Sequence, residues 1–206
     1  DGSGVTLATL GSPGNQPRLT FNSLPAPVND GILGGWATVN DGTGVFFARN
    51  VPNTTDGNIG AAVTTLQDNV ALWATGQNIS DSTGFTGTYS NLGINSLRLN
   101  AASGSDVSLG ATGVLGITSG GILITSNVTG SASILAGTIF SGAQASNVPE
   151  LIITHDGSDV FELGSDLRTN SALTKSGAGI LLLSGDNVYT GSTEIQNGTL
   201  QLSGGD

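Results

Sequence analysis

The sequence predicts an all-β protein whose short strands wind around one axis as a parallel β-helix. Short runs of alternating apolar residues are separated by Gly, Asn, Asp and Ser, most clearly in residues 173–202. Such alternation is typical of half-buried strands, and the turns follow one another too closely for intervening helices. Only 10% of the 206 residues are charged, while 37% are hydrophobic and 33 are glycine, which suits stacked strands with polar, uncharged corners.

The N-terminal half is the less regular part of the chain. Five segments there are predicted as strands, at 5–7, 19–21, 36–39, 45–47 and 70–73. The stretch 67–74 could form a short helix instead. Longer connections rich in Gly, Pro, Asn and Asp lie between these segments and are typical of loops. We therefore predict a single β-helix domain over 1–206, in which 1–90 forms irregular coils with long loops or a cap.

Residues 91–206 are predicted to form regular coils. Apolar clusters recur there with a period of about twenty residues, a length typical of one coil of a solenoid built from short strands. The first series of clusters is Leu97/Leu99, Leu115/Ile117, Ile134/Leu135, Ile152/Ile153, Leu173 and Ile195. The second series is Val107/Leu109, Ile122/Ile124, Ile139/Phe140, Phe161/Leu163, Leu181/Leu183 and Leu200/Leu202. Each coil then contains two or three strands and stacks on the previous coil at about 4.8 Å.

The segment 172–202 resembles a known family. Its Leu-x-Lys-x-Gly-x-Gly start, its Gly-x-Asn-x-Tyr-x-Gly-x-Thr centre and its closing Gly-x-Leu are similar to the autotransporter-associated β-strand repeat, also called the passenger-associated transport repeat. The motif positions are Leu173, Lys175, Gly177, Gly179, Gly185, Asn187, Tyr189, Gly191, Thr193 and Gly198. The resemblance implies a right-handed parallel β-helix carried outside a bacterial cell, and it implies no enzymatic activity. For Lys175 and Tyr189 it suggests a structural role at a corner.

Charge and composition exclude several classes of partner. The net charge is −10, with five basic residues against fifteen acidic ones. Binding to nucleic acid or to an anionic membrane requires a basic surface, so we expect neither. No apolar run is long enough to span a bilayer, so no direct membrane insertion is expected. Because the chain opens at Asp1 without Met or a signal segment, we expect it to be part of a longer protein.

Candidates for catalysis or metal binding are few. The single histidine, His155, lies among acids and could act as a base, but it has no second His or Cys for a zinc site. Paired carboxylates could hydrolyse a polysaccharide, and the candidates are Glu150, Asp156, Asp159 and Glu162. Solvated turn residues are the alternative for all of them. We expect no catalytic residue and no cofactor, with a structural calcium ion as the alternative because oxygen ligands are plentiful.

Binding surfaces are the remaining functional candidates. Aromatic residues that could contact a glycan or a host-surface ligand are Trp36, Trp73, Phe46, Phe47 and Tyr89, with core packing as their alternative. Strands at open end coils could associate head to tail with another copy, through Val5, Leu7, Leu200 and Leu202. The sequence thus predicts a non-catalytic stiff stalk or fibre subunit that associates with itself or with neighbouring segments. The alternatives are an adhesin or glycan-binding module and a polysaccharide-cleaving enzyme.

Overall fold

The computed structural model describes residues 32–50, 59–88, 92–142, 149–168 and 171–203. These residues form fifteen strands and one 3-10 turn, Val70–Leu72. The strands are β1 (Thr38–Asn40), β2 (Val45–Asn50), β3 (Ile59–Ala61), β4 (Thr65–Leu66), β5 (Asn78–Ser80), β6 (Leu92–Leu99), β7 (Asp106–Ser108), β8 (Val114–Ile124), β9 (Ala132–Ser141), β10 (Glu150–His155), β11 (Val160–Leu167), β12 (Ala172–Ser176), β13 (Ile180–Leu183), β14 (Thr193–Ile195) and β15 (Thr199–Leu202). Within these ranges, no helix has the length and apolar character needed to cross a membrane.

Twelve strands form one parallel sheet that divides into three ladders. The first ladder contains β4, β5, the end of β6, the end of β8, β10, β12 and β14. The second contains β7, the start of β9, the start of β11, β13 and β15. The third contains the starts of β6 and β8 and the ends of β9 and β11. From β6 to β13 the chain visits the third, first and second ladders in that order on every pass, a path compatible with a β-helix.

Sharp bends allow one long strand to serve two ladders. Within β8 the bend includes Gly120, whose φ is 71°, and within β9 it includes Ala136 and Gly137, whose φ angles are 60° and 59°. A positive φ turns an extended chain abruptly, and glycine adopts it without a steric cost. The start of β8 therefore pairs with the end of β9, while its own end pairs with β10.

Alternate side chains of the three ladders pack into one apolar core. In the first ladder Leu97 pairs with Ile122 and Ile122 pairs with Ile153, and all three side chains are fully buried. In the third ladder Leu115 pairs with Ile139, and both are also buried. Removing these stacked side chains from water is the main favourable contribution to the stability of the coils.

The predicted period of about twenty residues is correct at the C-terminal end and wrong in the middle. Leu181 pairs with Leu200, as the second predicted series requires. Leu97, however, lies in the first ladder and Leu115 in the third, although the first series placed them in one row. Leu97 instead pairs with Ile122, a step of 25 residues (97 to 122). Longer turns lengthen these coils without disturbing the alternation within each strand.

A small antiparallel sheet, here called the lateral sheet, is formed by β1, β2 and β3. It packs on the outer side of the first ladder, where Ile32 and Phe47 form a buried cluster with Leu123. The backbones approach so closely that a Cβ atom on Gly121 would lie 2.6 Å from the Cα atom of Gly35. This part of the chain is therefore a sheet attached to the side of the ladders.

Two of the five strands predicted in the N-terminal half are found, since β1 overlaps 36–39 and β2 contains 45–47. The strand predicted over 70–73 is wrong, and the helical alternative is closer. The Asn69 side chain accepts a hydrogen bond from the Ala71 amide, and the Trp73 amide donates to the Val70 carbonyl, which closes one 3-10 turn. The segments 5–7 and 19–21 lie outside the described residues.

Candidate functional site

The lysine of the repeat, Lys175, lies in the core. It pairs with Ile153 on one side and with Ile195 on the other, and its side chain is 0% exposed. Its Nζ atom donates to the carbonyl oxygens of Ser176 (2.6 Å), Gly177 (2.7 Å) and Asn197 (3.3 Å). Burial lowers the pKa of Lys175 to about 8, although nearby Asp156 opposes this shift. The amine joins the final coil to the one before it.

The glycines around this amine make the corner possible. Gly177 and Gly198 have φ angles of 75° and 78°, which side chains other than glycine adopt at a cost. A Cβ atom on Gly198 would lie 2.4 Å from the Gly177 carbonyl oxygen and 2.8 Å from Lys175 Nζ. A Cβ atom on Gly179 would lie 2.5 Å from the ring of His155. At these positions only glycine lets consecutive coils stack at their normal separation.

Other motif residues also make structural contacts. Leu173 is buried in the core. Asn187 accepts a hydrogen bond from the Leu167 amide of the preceding coil (3.0 Å) through Oδ1 and donates from Nδ2 to the Gly185 carbonyl (2.8 Å). The Tyr189 hydroxyl lies 2.6 Å from the Thr193 hydroxyl.

The two remaining motif glycines, Gly185 and Gly191, face the backbone of the preceding coil. A Cβ atom on Gly185 would lie 2.7 Å from the Ser165 carbonyl oxygen, and one on Gly191 would lie 2.5 Å from that of Ser171. The motif therefore fixes how two coils stack.

The candidate base His155 is buried in the same corner. Its Nδ1 atom lies 3.0 Å from the Ile180 carbonyl oxygen, so this nitrogen carries the proton in the neutral ring. Burial lowers the pKa of His155, and the positive charge of Lys175 lowers it further. The ring packs edge to face against Phe161. A substrate cannot reach this imidazole, whose contacts are those of a core residue.

The candidate carboxylates are divided among β10, β11 and the turn between these strands, which contains Asp156 and Asp159. Glu150 lies on β10 and accepts a hydrogen bond from the Thr174 hydroxyl (2.5 Å). Glu162 lies on β11, which pairs with other strands, and accepts from the Ser184 hydroxyl. Asp159 accepts from the adjacent amide of Val160 in a turn. Within the described ranges, no three His, Asp or Glu side chains cluster in a way that could hold a metal ion.

The predicted partner-binding aromatics have different environments. Trp36 is 55% exposed, whereas Trp73 is 5% exposed and packs against Phe85. Phe47 is fully buried between the lateral sheet and the first ladder. Phe46 is half-buried, with the Arg98 guanidinium 4.3 Å above the centre of its ring. Trp36 is thus the predicted aromatic that offers most of its ring to a partner, and Tyr89 lies outside the described residues.

Arg98, a residue that no sequence motif singled out, attaches the lateral sheet to the first ladder. Its side chain is buried, and its Nε atom donates to the Val45 carbonyl at 2.8 Å. The two terminal nitrogens donate to the Ser80 hydroxyl (3.0 Å) and to Asn100 Oδ1 (2.8 Å). Its place in an alternating strand, Leu97-Arg98-Leu99, indicates that it faces outward, but the sequence does not show that a second sheet covers that face.

Two of the four residues predicted for end-to-end assembly, Leu200 and Leu202, lie at one edge of the sheet. Leu200 is half-buried against the core, and Leu202 is 72% exposed. Among the described residues, β14 and β15 each have a partner strand on one side only. Val5 and Leu7 lie outside the described residues.

A second exposed aromatic, Phe140, belongs to the apolar cluster Ile139/Phe140 of the predicted series. The structure directs its neighbour Ile139 into the core and leaves Phe140 42% exposed on the outer side of the third ladder. Alternation requires that one of two adjacent residues in a strand faces outward. The sequence therefore indicates that either Ile139 or Phe140 is exposed, but alternation alone does not show which of them faces outward.

Comparison with known proteins agrees with the architecture. Residues 173–202 match the passenger-associated-transport-repeat family. The chain is also 29% identical over 184 residues to the adhesin BmaC autotransporter of Brucella suis biovar 1 (strain 1330), a match that covers 83% of this chain and 5% of that protein. No solved structure matches the chain.

These two similarities agree with the corner geometry of the motif. The matched family and the similar adhesin are a passenger repeat and a surface protein, and neither is an enzyme family. The chain covers only a small share of the adhesin's length. Residues 173–202 are therefore similar to the passenger-associated transport repeat, and the two similarities together indicate that the chain is an extracellular segment at the bacterial cell surface.

Proposed function

We propose that this chain is a non-catalytic structural segment, a stiff right-handed β-helical stalk within a surface passenger protein. The observation that carries this proposal is the fixed order in which the chain visits the three parallel ladders. Parallel connections are right-handed in nearly all known sheets, which supports the handedness. Each coil is held by its neighbours through backbone hydrogen bonds and a shared core, so bending the stalk would break contacts along a whole side.

We further propose that the open edge at β14 and β15 stacks on another coil, either a neighbouring segment or a second copy. Ile195 and Leu202 are exposed there, and they continue the rows of Lys175 and Leu183. Unpaired strand edges with apolar side chains favour the addition of another strand. At the opposite edge, Leu66 in strand β4 and Val63 shortly before this strand are also exposed. Two apolar edges of this kind are what head-to-tail stacking requires.

The test is light scattering during size-exclusion chromatography over a concentration series, with electron microscopy of the same fractions. A stalk gives a monomer with an elongated hydrodynamic shape, and head-to-tail stacking gives unbranched filaments as concentration rises. A compact, spherical monomer would contradict the stalk. An elongated species that stays monomeric at every concentration would contradict stacking between copies while leaving the stalk intact.

A second candidate function is adhesion, which the exposed Trp36 favours. The Nε1 and Cδ1 atoms of its indole lie 2.6 and 2.9 Å from the place where a Cβ atom of Gly34 would be, and the residue is 55% exposed. The similar protein of Brucella suis is named an adhesin. If the lateral sheet binds a host-surface ligand, Trp36→Ala should reduce attachment of coated beads to host cells, whereas Leu72→Ala, at another exposed apolar residue, should not. Equal attachment by both variants would contradict this role for Trp36.

A further inference from the structure

The outer side of the third ladder carries a supported, exposed aromatic ring. Phe140 extends over the neighbouring strand, and its outer ring atoms lie 2.7 to 3.3 Å from the place where a Cβ atom of Gly116 would be. Glycine at that position therefore lets the ring rest on the sheet. At the next residue in the row, Gly93, a Cβ atom would meet only the Gly116 carbonyl oxygen, at 4.0 Å. The Phe140 ring consequently lies next to two positions, Gly116 and Gly93, where the sheet surface carries no side chain.

Hydrogen-bonding side chains flank this ring on the adjacent strand. Leu167 pairs with Ile139, and the Arg168 amide donates to the Ile139 carbonyl (3.2 Å), which places Arg168 beside Phe140. Asp166 pairs with Thr138 one pair earlier in the ladder. The Arg168 and Asp166 side chains form an exposed ion pair at 3.9 Å. Thr138, Phe140, Asp166 and Arg168 together are called the platform below.

The platform combines the two chemistries that recognise a sugar. A pyranose presents an apolar face of C–H groups that packs on an aromatic ring, and it presents hydroxyl groups at its rim. Neighbouring strands are about 4.8 Å apart and alternate residues of one strand about 6.6 Å apart. The hydrogen-bonding side chains of Asp166 and Arg168 on the adjacent strand therefore lie close to the Phe140 ring. Arg168 donates and Asp166 accepts, which makes charge-assisted hydrogen bonds to hydroxyls available.

We propose that the platform is a saccharide-binding site, in which a sugar ring stacks on Phe140 and its hydroxyls bond to Asp166 and Arg168. The charge of the surroundings sets the class of sugar. Asp186, whose amide donates to Asp166 Oδ1, adds a second carboxylate beside the platform, and the chain as a whole carries −10. Acidic sugars are repelled by such a surface. The ligand is therefore a neutral saccharide.

This proposal deepens the adhesion candidate by naming a ligand class, and it uses a different face of the molecule. Trp36 precedes the lateral sheet beside the first ladder, and Phe140 lies on the third ladder. A variant at one residue leaves the other in place. Failure of the sugar site therefore leaves adhesion through Trp36 intact, and failure of Trp36 leaves the sugar site intact.

The test is an NMR titration of the 15N-labelled chain with neutral disaccharides, lactose and diacetylchitobiose, and with the acidic trisaccharide 3′-sialyllactose. At least one neutral sugar is expected to shift the amide signals of 138–141 and 166–168, while sialyllactose gives smaller shifts. Phe140→Ala should weaken binding about two- to tenfold, the effect of losing one aromatic contact. Leu135→Ala, an exposed apolar residue on the same strand before its bend, should leave the affinity unchanged.

Three results would overturn the proposal. The first is the absence of shifts with both neutral sugars, and the second is a set of shifts confined to other faces of the molecule. The third is an affinity that Phe140→Ala and Leu135→Ala change equally. Because Phe140 and Leu135 are both exposed, neither variant is expected to unfold the chain, and circular dichroism of each variant checks this.

Discussion

A positive charge in the core distinguishes Lys175 from the residues that stack below and above it. Ile153 and Ile195 occupy the same row, so the lysine stem fills a place that elsewhere holds an aliphatic side chain. Three carbonyl oxygens take up its three protons, and this satisfies the hydrogen-bonding capacity of an ammonium group. The desolvation of the charge is offset only in part, which is why the pKa falls.

Titration of Lys175 gives the first prediction. Its pKa is 10.5 in the unfolded chain and about 8 when folded, so between these values the unfolded chain binds more protons. The free energy of unfolding should therefore rise as pH increases from about 8 to 10.5. As Lys175 is the only lysine, selective 13Cε labelling gives one side-chain signal whose titration reports the folded pKa. A midpoint near 10.5 would contradict burial of the amine, and Lys175→Met should abolish the rise in stability.

His155 gives a second prediction at neutral to acid pH. Burial lowers its pKa below the ordinary 6.5, so the unfolded chain takes up a proton at a pH where the folded chain does not. Stability should be at its full value above pH 6.5 and should fall as pH drops below it. Urea unfolding at pH 7.5 and pH 5 measures the difference, and His155→Gln, which lacks the titrating ring, should show a smaller one. Equal differences in both proteins would show that other groups cause the loss.

At the scale of single elements, the corner turn of the last coil is held by glycine. Gly198 and Gly76 share a φ of 78°, but a Cβ atom on Gly76 would meet nothing within 4 Å. Gly76→Ala should therefore lower stability by about 1 kcal/mol, the cost of a positive φ in a residue with a Cβ atom. Gly198→Ala should lower it by about 2 kcal/mol or more, because the new Cβ atom would also meet the carbonyl oxygens of Gly177 and Gly179 and Lys175 Nζ. Urea unfolding of the two variants measures both values. Equal losses would show that contact with the preceding coil contributes nothing.

Attachment of the lateral sheet depends on one guanidinium. Arg98→Met removes the hydrogen bonds to Val45, Ser80 and Asn100 and leaves their oxygens without this donor. Stability should fall by about 2 kcal/mol or more, and amide exchange in β2 should accelerate while exchange in β10 and β12 does not. Arg168→Met, at an exposed arginine, is the control for stability and should change it by less than about 0.5 kcal/mol. Uniform acceleration of all strands would contradict a local attachment.

The sequence predicts those features that alternation alone determines. Leu181 and Leu200 pair as predicted because their coil has the regular length. The pairing of Leu97 with Ile122 was missed because the coil between them is longer, and alternation carries no information about turn length. The inward position of Lys175 also lay beyond the pattern, since a charged residue is normally expected to face outward. Its core position depends on carbonyl acceptors that come together only when two coils stack.

The whole molecule resembles a one-dimensional stack in which each coil is stabilised by its neighbours. Amide exchange should therefore be slowest in the central strands β10 and β11 and faster in β14 and β15, which pair on one side only among the described residues. If copies stack head to tail, protection of β14 and β15 should rise with protein concentration, while that of β10 and β11 stays constant.

Hydrogen exchange measured at two widely separated protein concentrations tests this last prediction. Leu202→Glu is the matched variant, because it places a charge on the exposed edge without touching the buried rows. If copies stack head to tail, this variant should remove the concentration dependence of protection in β14 and β15 and leave the protection of β10 and β11 unchanged. Concentration-dependent protection confined to the lateral sheet would instead show association through that surface. Protection that is independent of concentration throughout would contradict head-to-tail stacking between copies.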